Sequence, residues 1–514
     1  MAVDKSALIE WLGDLGYTDI DTSMDDHIQL WESWYKGKVP SFHSFAVWNG
    51  IDTLRGEMAS LQLGKTTPEQ WANLLFNQKC TIAIDDGTES KSDNPLGASV
   101  NVAEGVTGDN PTADFVRMVF DENDMYNKIN EYQEVKMAYG TVSYIPYVKD
   151  GKTKKVKMSY VRASGMIPLS YEYGKITELC VYSEISRNGE SLVFVQLFII
   201  PWVLDGDGAR VGRQSAYEVH SIILEQSQEA KKQGQFRYEE VSDTSNIAGF
   251  EDLKRIDKTT NDAAPFVIDK PNIANNICPD SPFGIAVFAN SIDSMKMCDN
   301  IFDSYNNEFV LGRKRVAVDP TAMNIAADGR MAFDTKEPLF MFVPAEVRKD
   351  GTGSPIIQEI NMTIRAAEHR QGLQDAMNTH GYQVGFGNEF FTVERNGAVT
   401  ATQVISENNV MFRNLKKHEE TLDSALVDLI RLIIVLGVRY NLAPGLNPNA
   451  GITVKFDDSI VEDKDQEIKR MMADVSAELI RPEIYVARRY GVTEQVALQM
   501  MPKMPAGARE EGMQ

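Results

Sequence analysis

The sequence predicts an α+β protein whose longest helices need partners outside a single subunit. Residues 139–240 read as successive β-strands, and several long helical segments follow them along the chain. The longest of these segments begins at Thr400 and contains neither Gly nor Pro before Gly437. A helix of this length far exceeds the usual three turns and needs a neighbour along its whole length. This indicates an elongated protein or a repeating assembly rather than a compact enzyme.

The composition excludes two broad classes of protein. The 514 residues are 43% hydrophobic and 25% charged, which allows sizeable cores and argues against global disorder. The formal net charge is −22. Because affinity for DNA comes mainly from Lys and Arg neutralising phosphates, this charge argues against a nucleic-acid coat protein. It is compatible with DNA as a passing cargo, and its simplest interpretation is solubility.

Cysteine spacing and hydropathy predict no disulfide framework, zinc site or membrane anchor. The four cysteines lie far apart without a C-x-x-C pair. The N-terminus has early acidic residues and no long apolar core, unlike a signal peptide. The most apolar run, residues 192–204, is too short to cross a bilayer, and its β-branched and aromatic residues predict a buried strand interrupted at Pro201. We therefore expect a cytoplasmic protein in the cell that makes it.

The N-terminal part is predicted to be mostly helical and holds five of the six tryptophans. These aromatics fit either a hydrophobic core or a surface patch for a partner. Residues 88–110 are rich in Gly, Asn, Asp and Ser and predict a long loop. In the β-rich region that follows, the turn signals at 149–152 and 187–190 predict two hairpins.

A second long helix is predicted to start at Ser281 and Pro282, which suit the cap and first-turn positions, and to end at Gly312. Four acidic residues lie off its apolar stripe: Asp293, Asp299, Asp303 and Glu308. The stripe itself consists of Phe288, Ile292, Met295, Phe302, Tyr305 and Phe309. A compact segment with a basic start and β character follows, from Arg313 to about Ser354.

Two further helices and a short tail complete the chain. The third helix, roughly 361–383, is polar on most sides, which is typical of a helix that faces water or lines a wet cavity. The fourth is the long helix, which Thr400 and Gln403 can start as a capping box and Gly437 can end. From Asp457 the sequence predicts short charged helices with a break at Pro482.

A search for catalytic motifs predicts no active site, cofactor site or metal site. The sequence at 63–67 imitates the end of a phosphate-binding loop, but Ala59 stands where its first glycine would be. The stretch 205–208 resembles the start of a calcium loop, but Ala216 replaces the bidentate Glu. The six histidines show no metal-ligand spacing, and we interpret them as surface or channel residues. There is no G-x-S-x-G elbow.

Several stretches in this order resemble one protein family. They are GKVPSFHSFAVWNG at 37–50, WANLL at 71–75, FGIAVFANSIDSM at 283–295, DSYNNEF at 303–309 and TATQVISE at 400–407. Their order, together with a long helix, a small β insert, a second helix and a very long helix, resembles the portal proteins of tailed bacteriophages, in particular those of phages of Gram-positive bacteria. The resemblance covers roughly residues 26–456.

The resemblance implies an α+β portal fold with wing, stem, small α/β clip and short helical crown, assembled as a ring of usually twelve subunits. Long polar helices would then pack against copies of themselves around a channel. The implied segments are a wing over 1–280, a stem helix over 281–311, a clip over 312–358, a second stem helix over 359–386, a tunnel loop over 387–399, a long wing helix over 400–440 and a crown over 441–514.

The implied role is structural rather than enzymatic. The ring would nucleate capsid assembly with the major capsid and scaffolding proteins, dock the terminase large subunit and the head–tail adaptor, and pass double-stranded DNA during packaging and ejection. ATP would be hydrolysed by the packaging partner. The alternatives are another virion ring protein, such as a tail or connector component, and a polysaccharide-binding or hydrolytic protein, which would need a concave cluster of carboxylates and aromatics.

The resemblance also assigns candidate site residues. Arg395 and Asn396 in the tunnel loop, with Arg365 and Arg370 on the second stem helix, are the candidate DNA contacts. Glycines 385, 387 and 397 flank the loop and suit a moving part, while a fixed hairpin with Phe390 and Phe391 packed into the wing is the alternative. Three successive cations are the candidate contacts with the adaptor, or else complement a helix C-terminus: Arg313, Lys314 and Arg315.

Overall fold

The computed structural model describes most of the chain in several ranges. Side chains at a few further positions inside helices and strands, 401–409 among them, are outside the description. The ranges are 3–48, 53–76, 80–87, 105–149, 154–187, 190–206, 210–227, 230, 236–247, 249–251, 253–259, 263–312, 315–318, 340–342, 357–360, 363–392, 401–456, 471–477, 479–490, 497–498 and 500–501.

Helices and strands both contribute substantially, which confirms the predicted α+β class. The helices are α1 Lys5–Asp14, α2 Asp25–Tyr35, α3 Pro40–His43, α4 Leu63–Leu75, α5 Pro111–Glu122, α6 Met125–Tyr139, α7 Ile292–Leu311, α8 Ala366–Gln383, α9 Ala401–Arg439 and α10 Pro482–Tyr490. The strands are β1 Ser44–Trp48, β2 Thr53–Glu57, β3 Thr81–Asp85, β4 Gly105–Thr107, β5 Val142–Lys149, β6 Lys155–Arg162, β7 Met166–Glu172, β8 Lys175–Arg187, β9 Glu190–Ile199, β10 Trp202–Leu204, β11 Arg210–Arg213, β12 Glu218–Gln226, β13 Tyr238–Glu240, β14 Ile256–Lys258, β15 Val267–Asp269, β16 Arg315–Val318, β17 Phe340–Phe342, β18 Ile357–Ile360 and β19 Gly451–Lys455.

The chain forms two compact units. The large unit comprises residues 1–32, 66–287 and 398–514, and the small unit comprises residues 33–65 and 288–397. Each unit is therefore assembled from segments far apart in the sequence. None of the helices within the described ranges is both long and apolar enough to cross a membrane.

The β-rich region of the large unit is built around a six-stranded sheet in the order β13-β12-β9-β8-β7, with β14 also paired to β12. Both predicted hairpins are confirmed by antiparallel pairing: β5 meets β6 at Lys149 and Lys155, and β8 meets β9 at Arg187 and Glu190. Strand β9 is the predicted buried strand. Its Val193, Val195 and Leu197 lie in the same core as α1, whereas Leu192 lies in a second cluster on the other face.

The tryptophans separate into core and surface residues. Trp11, Trp31, Trp34 and Trp71 are buried, so the core interpretation is correct for these four. Trp48 on β1 is 64% exposed. A tryptophan this exposed contributes little to the hydrophobic core of its own chain. Core packing therefore does not explain why a tryptophan stands at position 48.

The long helix α9 is confirmed, but its predicted end at Gly437 is wrong. The helix continues to Arg439, and the chain turns away just after it at Asn441, which has a left-handed φ of 50°. The Leu442 amide donates to the Gly437 carbonyl at 2.9 Å, which is the bond of a Schellman cap. Gly437 instead permits close packing, because a Cβ there would lie 2.6 Å from the ring of Phe115. The predicted capping box at Thr400 lies outside the described residues.

A buried polar network lies in the large unit beside α9. The ammonium group of Lys136 on α6 lies 3.2 Å from the carboxylate of Asp269 on β15, and both side chains are fully buried. Burial lowers the pKa of Lys136, and the Asp269 charge opposes that shift. The Gln133 amide donates to Asp269 and to the Tyr144 hydroxyl, each at 2.9 Å. The network links α6, β5 and β15 by buried polar contacts.

Helix α9 is held to this region by His418. The Asn272 amide donates to His418 Nδ1 at 3.0 Å, and the Asn272 side chain donates to the Lys417 carbonyl. Burial, followed by the charges of Lys136 and Lys417, lowers the pKa of His418 to about 3. The imidazole is therefore neutral at ordinary pH, in agreement with its role as a hydrogen-bond acceptor at Nδ1.

The second long helix begins later than predicted. Residues 281–287 are buried but not helical, and α7 starts at Ile292. Backbone groups in this stretch are used by other partners: the Gly284 amide donates to Thr141 Oγ1 and the Val287 amide donates to the Met137 carbonyl, each at 2.9 Å. These bonds compete with helix formation. The predicted end at Gly312 is confirmed, since its amide donates to the Glu308 carbonyl.

Candidate functional site

The small unit contains an antiparallel helix pair joined through a small sheet. Helices α7 and α8 pack along each other. Ser294 Oγ donates to Gln383 Oε1 at 2.6 Å near one end of the pair, and Arg365 meets Glu308 at the other end. Between α7 and α8 along the chain, β16 pairs in parallel with β17 and antiparallel with β18. This is the region in which the sequence predicted a compact β segment between two helices.

Arg365 forms a forked contact with Glu308 where α8 begins. Its Nε donates to Glu308 Oε1 at 3.1 Å and its Nη2 donates to Oε2 at 3.2 Å. The side-chain and backbone hydrogen bonds from Arg365 lower the pKa of Glu308 to about 2. His369 Nε2 lies 3.7 Å from the same carboxylate, and its ring stacks on Tyr305. The ion pair links α7 and α8 at the end of the helix pair that leads into the small sheet.

Of the other candidate DNA contacts, Arg370 lies exposed on α8 beyond Arg365. Arg395 and Asn396 lie outside the described residues, as do Arg313 and Lys314. Arg315 is the first residue of β16 and pairs with Ile360 of β18, but its side chain is not described. Arg365 is the N-cap residue of α8, and Arg370 lies within the same helix.

The first residues after α8 pack in an aromatic cluster, whereas residues 393–399 of the predicted tunnel loop lie outside the described residues. Phe386 stacks on Phe390 with ring centroids 4.0 Å apart, and Phe391 packs edge-on against both rings. Gly385 and Gly387 have the left-handed φ values of 88° and 100°. They turn the chain back so that the Gly387 amide donates to the Gly381 carbonyl. Phe390 and Phe391 therefore pack at the end of α8 within the small unit.

A second contact within the small unit is a buried hydrogen-bonded pair, His43 and Asp299, which the sequence did not predict. The Val39 amide donates to His43 Nδ1 at 2.9 Å, so the neutral ring carries its proton on Nε2. That nitrogen donates to Asp299 Oδ2 on α7 at 2.9 Å. The Leu61 amide donates to the other oxygen of Asp299 at 2.7 Å, and Ser60 Oγ also donates to Oδ2. The Ala59 amide donates to Asp303 at 2.9 Å.

These contacts add one observation on the acidic residues of α7 and correct one expectation on the histidines. The carboxylates of Asp299 and Asp303 lie off the apolar stripe, but Asp299 is only 2% exposed. Among the histidines, His43, His380 and His418 are buried rather than surface or channel residues. Burial lowers the pKa of His380 to about 4. No local motif identifies these positions, because each partner comes from a distant segment. In the part of the chain that the structure describes, no cluster of three metal-ligating side chains occurs.

Comparison with known proteins assigns the family. A comparison with curated proteins finds no match. A solved structure titled "Virion of native gene transfer agent (GTA) particle" aligns with 84% of this chain and 90% of that chain, at 10% identity and a TM-score of 0.35, a value too low to establish a shared fold. The profile described as "Phage portal protein, SPP1 Gp6-like" matches residues 17–510. Because this match spans nearly the whole sequence, the chain belongs to the SPP1 Gp6-like family of phage portal proteins.

Proposed function

We propose that the chain assembles as a ring, of twelve subunits as in related portals, at one vertex of a phage capsid and forms the channel for double-stranded DNA. The observation that carries the proposal is the portal family match over residues 17–510. It favours a portal over the alternative of a tail or connector component. The proposed location of the protein is the virion, and the proposed place of its assembly is the host cytoplasm.

The helix pair of the small unit supports this role. In the proposed ring, α7 and α8 are the stem, the sheet β16–β18 belongs to the clip, and α9 belongs to the wing. Residues 33–65, which the sequence resemblance places in the wing, cluster with α7 and α8 in the small unit. The polar surface of α8 suits a helix that faces a water-filled channel.

The proposed mechanism is physical rather than catalytic. A chain with a net charge of −22 repels DNA phosphates, so DNA can slide through without adhering. Sparse cations, with the polar side chain of Asn396, keep the duplex centred; we propose for this task Arg365 at the start of α8, Arg370 on α8, and Arg395 and Asn396 in the tunnel loop. ATP is hydrolysed by the terminase large subunit, which docks on the ring.

The clip is the proposed attachment site for the head–tail adaptor, and Arg313, Lys314 and Arg315 are its proposed contacts. Three successive cations in an acidic chain favour an acidic partner surface. The major capsid and scaffolding proteins are the proposed partners during assembly, when the ring nucleates the capsid.

The ring is tested by electron microscopy and mass photometry of the purified full chain over a range of salt concentrations. The expected result is a closed ring with a central hole and a mass many times that of one chain. A stable monomer under every condition would overturn the proposal. If the ring forms but passes no DNA in a packaging reaction, the channel function is refuted and only a virion ring protein remains.

A further inference from the structure

Arg365 is tied to Glu308 through both its backbone and its side chain. The Arg365 amide donates to Glu308 Oε1 at 3.2 Å, in addition to the bonds that Nε and Nη2 give to the two carboxylate oxygens. Arg365 is the N-cap residue of α8, and Glu308 lies in the last turn of α7. One carboxylate therefore fixes the start of α8 and the orientation of the guanidinium together.

The fork with Glu308 occupies only one edge of the guanidinium. Arginine carries five N–H donors in one plane, one on Nε and two on each Nη. Glu308 accepts one from Nε and one from Nη2, which leaves three donors along the Nη1–Nη2 edge. Among the residues that the structure describes, none accepts a hydrogen bond from these three donors. The Arg365 side chain is 66% exposed, so this edge is open to solvent.

The shape of the open edge suits a phosphate group. Two parallel N–H groups of one guanidinium match two oxygens of a phosphate, a geometry that a lysine ammonium does not offer. In the proposed ring, α8 belongs to the stem, and the anion that passes the stem is the DNA backbone. The open edge of Arg365 is therefore a candidate contact for one phosphate at a time.

Glu308 also cancels the charge of Arg365. Hydrogen bonds from the Arg365 side chain and backbone lower the pKa of Glu308 to about 2, so the carboxylate is ionised at neutral pH and the pair has no net formal charge. His369 Nε2 lies 3.7 Å from the same carboxylate, so Glu308 has neighbours one turn apart at the start of α8. A phosphate that meets this pair gains directed hydrogen bonds but releases fewer counterions than at an unpaired arginine.

We propose that Glu308 is a positioning residue for a phosphate contact at Arg365: it holds one edge of the guanidinium, leaves the other edge for the DNA backbone, and weakens the contact so that DNA can leave it. The inference rests on the proposed channel, because it describes how one of its cations meets the duplex. Tight contacts would stop a moving duplex, whereas repulsion alone gives it no directed contact. A guanidinium with its charge cancelled and its donors available meets both requirements.

The test is equilibrium binding of a short fluorescent DNA duplex to assembled rings of the full chain, measured over a range of salt concentrations. Glu308→Gln leaves the charge of Arg365 uncancelled. It is expected to tighten binding and to steepen the slope of log Kd against log salt by about one, because one further phosphate is neutralised.

Glu368→Gln is the matched control. Glu368 is an exposed carboxylate in the first turn of α8, and no hydrogen bond joins it to Arg365 in the described part of the chain. The same loss of negative charge at this position should therefore leave the slope unchanged. An equal steepening in the two variants would mean that general charge, and not the fork with Arg365, controls binding, and the inference would be wrong.

Further variants separate positioning from charge. Glu308→Gln together with Arg365→Gln has the formal charge of the wild type but no guanidinium, so it should bind the duplex about tenfold more weakly. In the Arg365→Gln background, Glu308→Gln should no longer steepen the slope. Arg365→Lys keeps the charge without the second edge and should also bind about tenfold more weakly. This last variant tests the open edge even if Glu308→Gln prevents ring assembly.

The outcomes distinguish this inference from the proposed function. Intact Glu308→Gln rings with an unchanged slope, a steepening that persists without Arg365, or wild-type affinity in Arg365→Lys would each overturn the positioning role and leave the channel in place. Wild-type rings that bind no duplex at any salt concentration would refute the proposed channel, and the phosphate contact with it.

Discussion

The imidazole of His43 and the carboxylate of Asp299 form a buried hydrogen-bonded pair across 256 positions of sequence, with Nε2 and Oδ2 2.9 Å apart. The same carboxylate accepts the Leu61 amide and the Ser60 hydroxyl. One side chain of α7 thereby receives three donors from the segment 43–61. An ionised carboxylate has the acceptor capacity for all three, and an amide does not.

We first predict that Asp299→Asn loosens this segment. The amide group has one oxygen for three donors, so at least one buried donor loses its partner, at a cost of about 1–3 kcal/mol. Hydrogen exchange at the amides of Val39, Ala59 and Leu61 should become faster. Asp293→Asn on the same helix is the control, because the Asp293 side chain is 97% exposed. Equal exchange rates in the two variants would contradict the assigned role of Asp299.

Second, we expect Lys136→Met to destabilise the large unit strongly. The change leaves the Asp269 carboxylate buried without its cation, which typically costs about 3–5 kcal/mol. Thermal and urea unfolding of the purified chain measure the effect. The double change Lys136→Met with Asp269→Asn should recover part of the loss, because the uncompensated charge is then removed. If the double variant is no more stable than Lys136→Met alone, a buried unpaired charge is not the cause of the destabilisation.

Third, the stability of the large unit should fall with acidification because of His418. The pKa of His418 is about 3 in the folded state and has a reference value of 6.5. Between these values the unfolded chain binds a proton that the folded chain does not. Stability is therefore full above about pH 6.5 and declines as the pH falls towards 3.

His418→Asn tests this prediction, because the Asn oxygen can accept the Asn272 amide in place of Nδ1 and does not titrate. The variant should show a shallower loss of unfolding free energy between pH 6 and 4 than the wild type, whatever its absolute stability. His27→Asn, at a partly exposed residue on α2, is the control. An unchanged slope in the His418 variant would show that this imidazole does not carry the dependence.

Fourth, Gly140→Ala should cost more stability than Gly174→Ala. Both glycines have left-handed φ values, 76° and 74°, so an added methyl group strains both backbones equally, by about 1–2 kcal/mol. At Gly140 the new Cβ would also lie 2.5 Å from the Gly284 carbonyl oxygen, whereas at Gly174 no atom lies within 4 Å. The difference in unfolding midpoint isolates the close backbone approach. Equal losses would show that the backbones can separate at little cost.

Fifth, within the proposed channel, Arg395→Glu should impair DNA packaging or retention while ring assembly is preserved. The change reverses a charge that we place near passing phosphates, and like charges repel. The amount of full-length DNA per capsid, compared with the ring yield of the same variant, is the measurement. Packaging at the normal rate would mean that Arg395 does not contact DNA.

The sequence predicted correctly those elements that depend only on residues near each other in the chain. The alternation and turn residues around 187–190 predicted a hairpin, and β8 and β9 pair there as expected. In α9, Leu422, Leu426 and Leu429 recur at steps of four and three, the spacing of one helix face, and all three are buried. Such signals work because hydrogen-bond geometry and side-chain period act within a few residues. The family resemblance likewise followed from the order of short stretches.

Predictions failed where a distant segment competes with a local preference. Ser281 and Pro282 form a good helix start, but the backbone at Gly284 is bonded to Thr141, and α7 begins at Ile292. Gly437 is a good helix stop, but it lies inside α9, where its missing side chain makes room for Phe115. In both cases tertiary contacts outweighed capping preferences worth about 1 kcal/mol.

The sequence by itself determined the α+β class, the long helices, the hairpin positions and the family, because each depends on composition and on patterns along the chain. The tertiary structure alone decided which polar residues are buried. Asp299 and Glu308 both lie off the same apolar stripe of α7, yet Asp299 is buried under donors from His43 and Leu61, whereas Glu308 meets the exposed Arg365. Burial of a carboxylate depends on donors brought from remote segments, and spacing along one helix does not encode them.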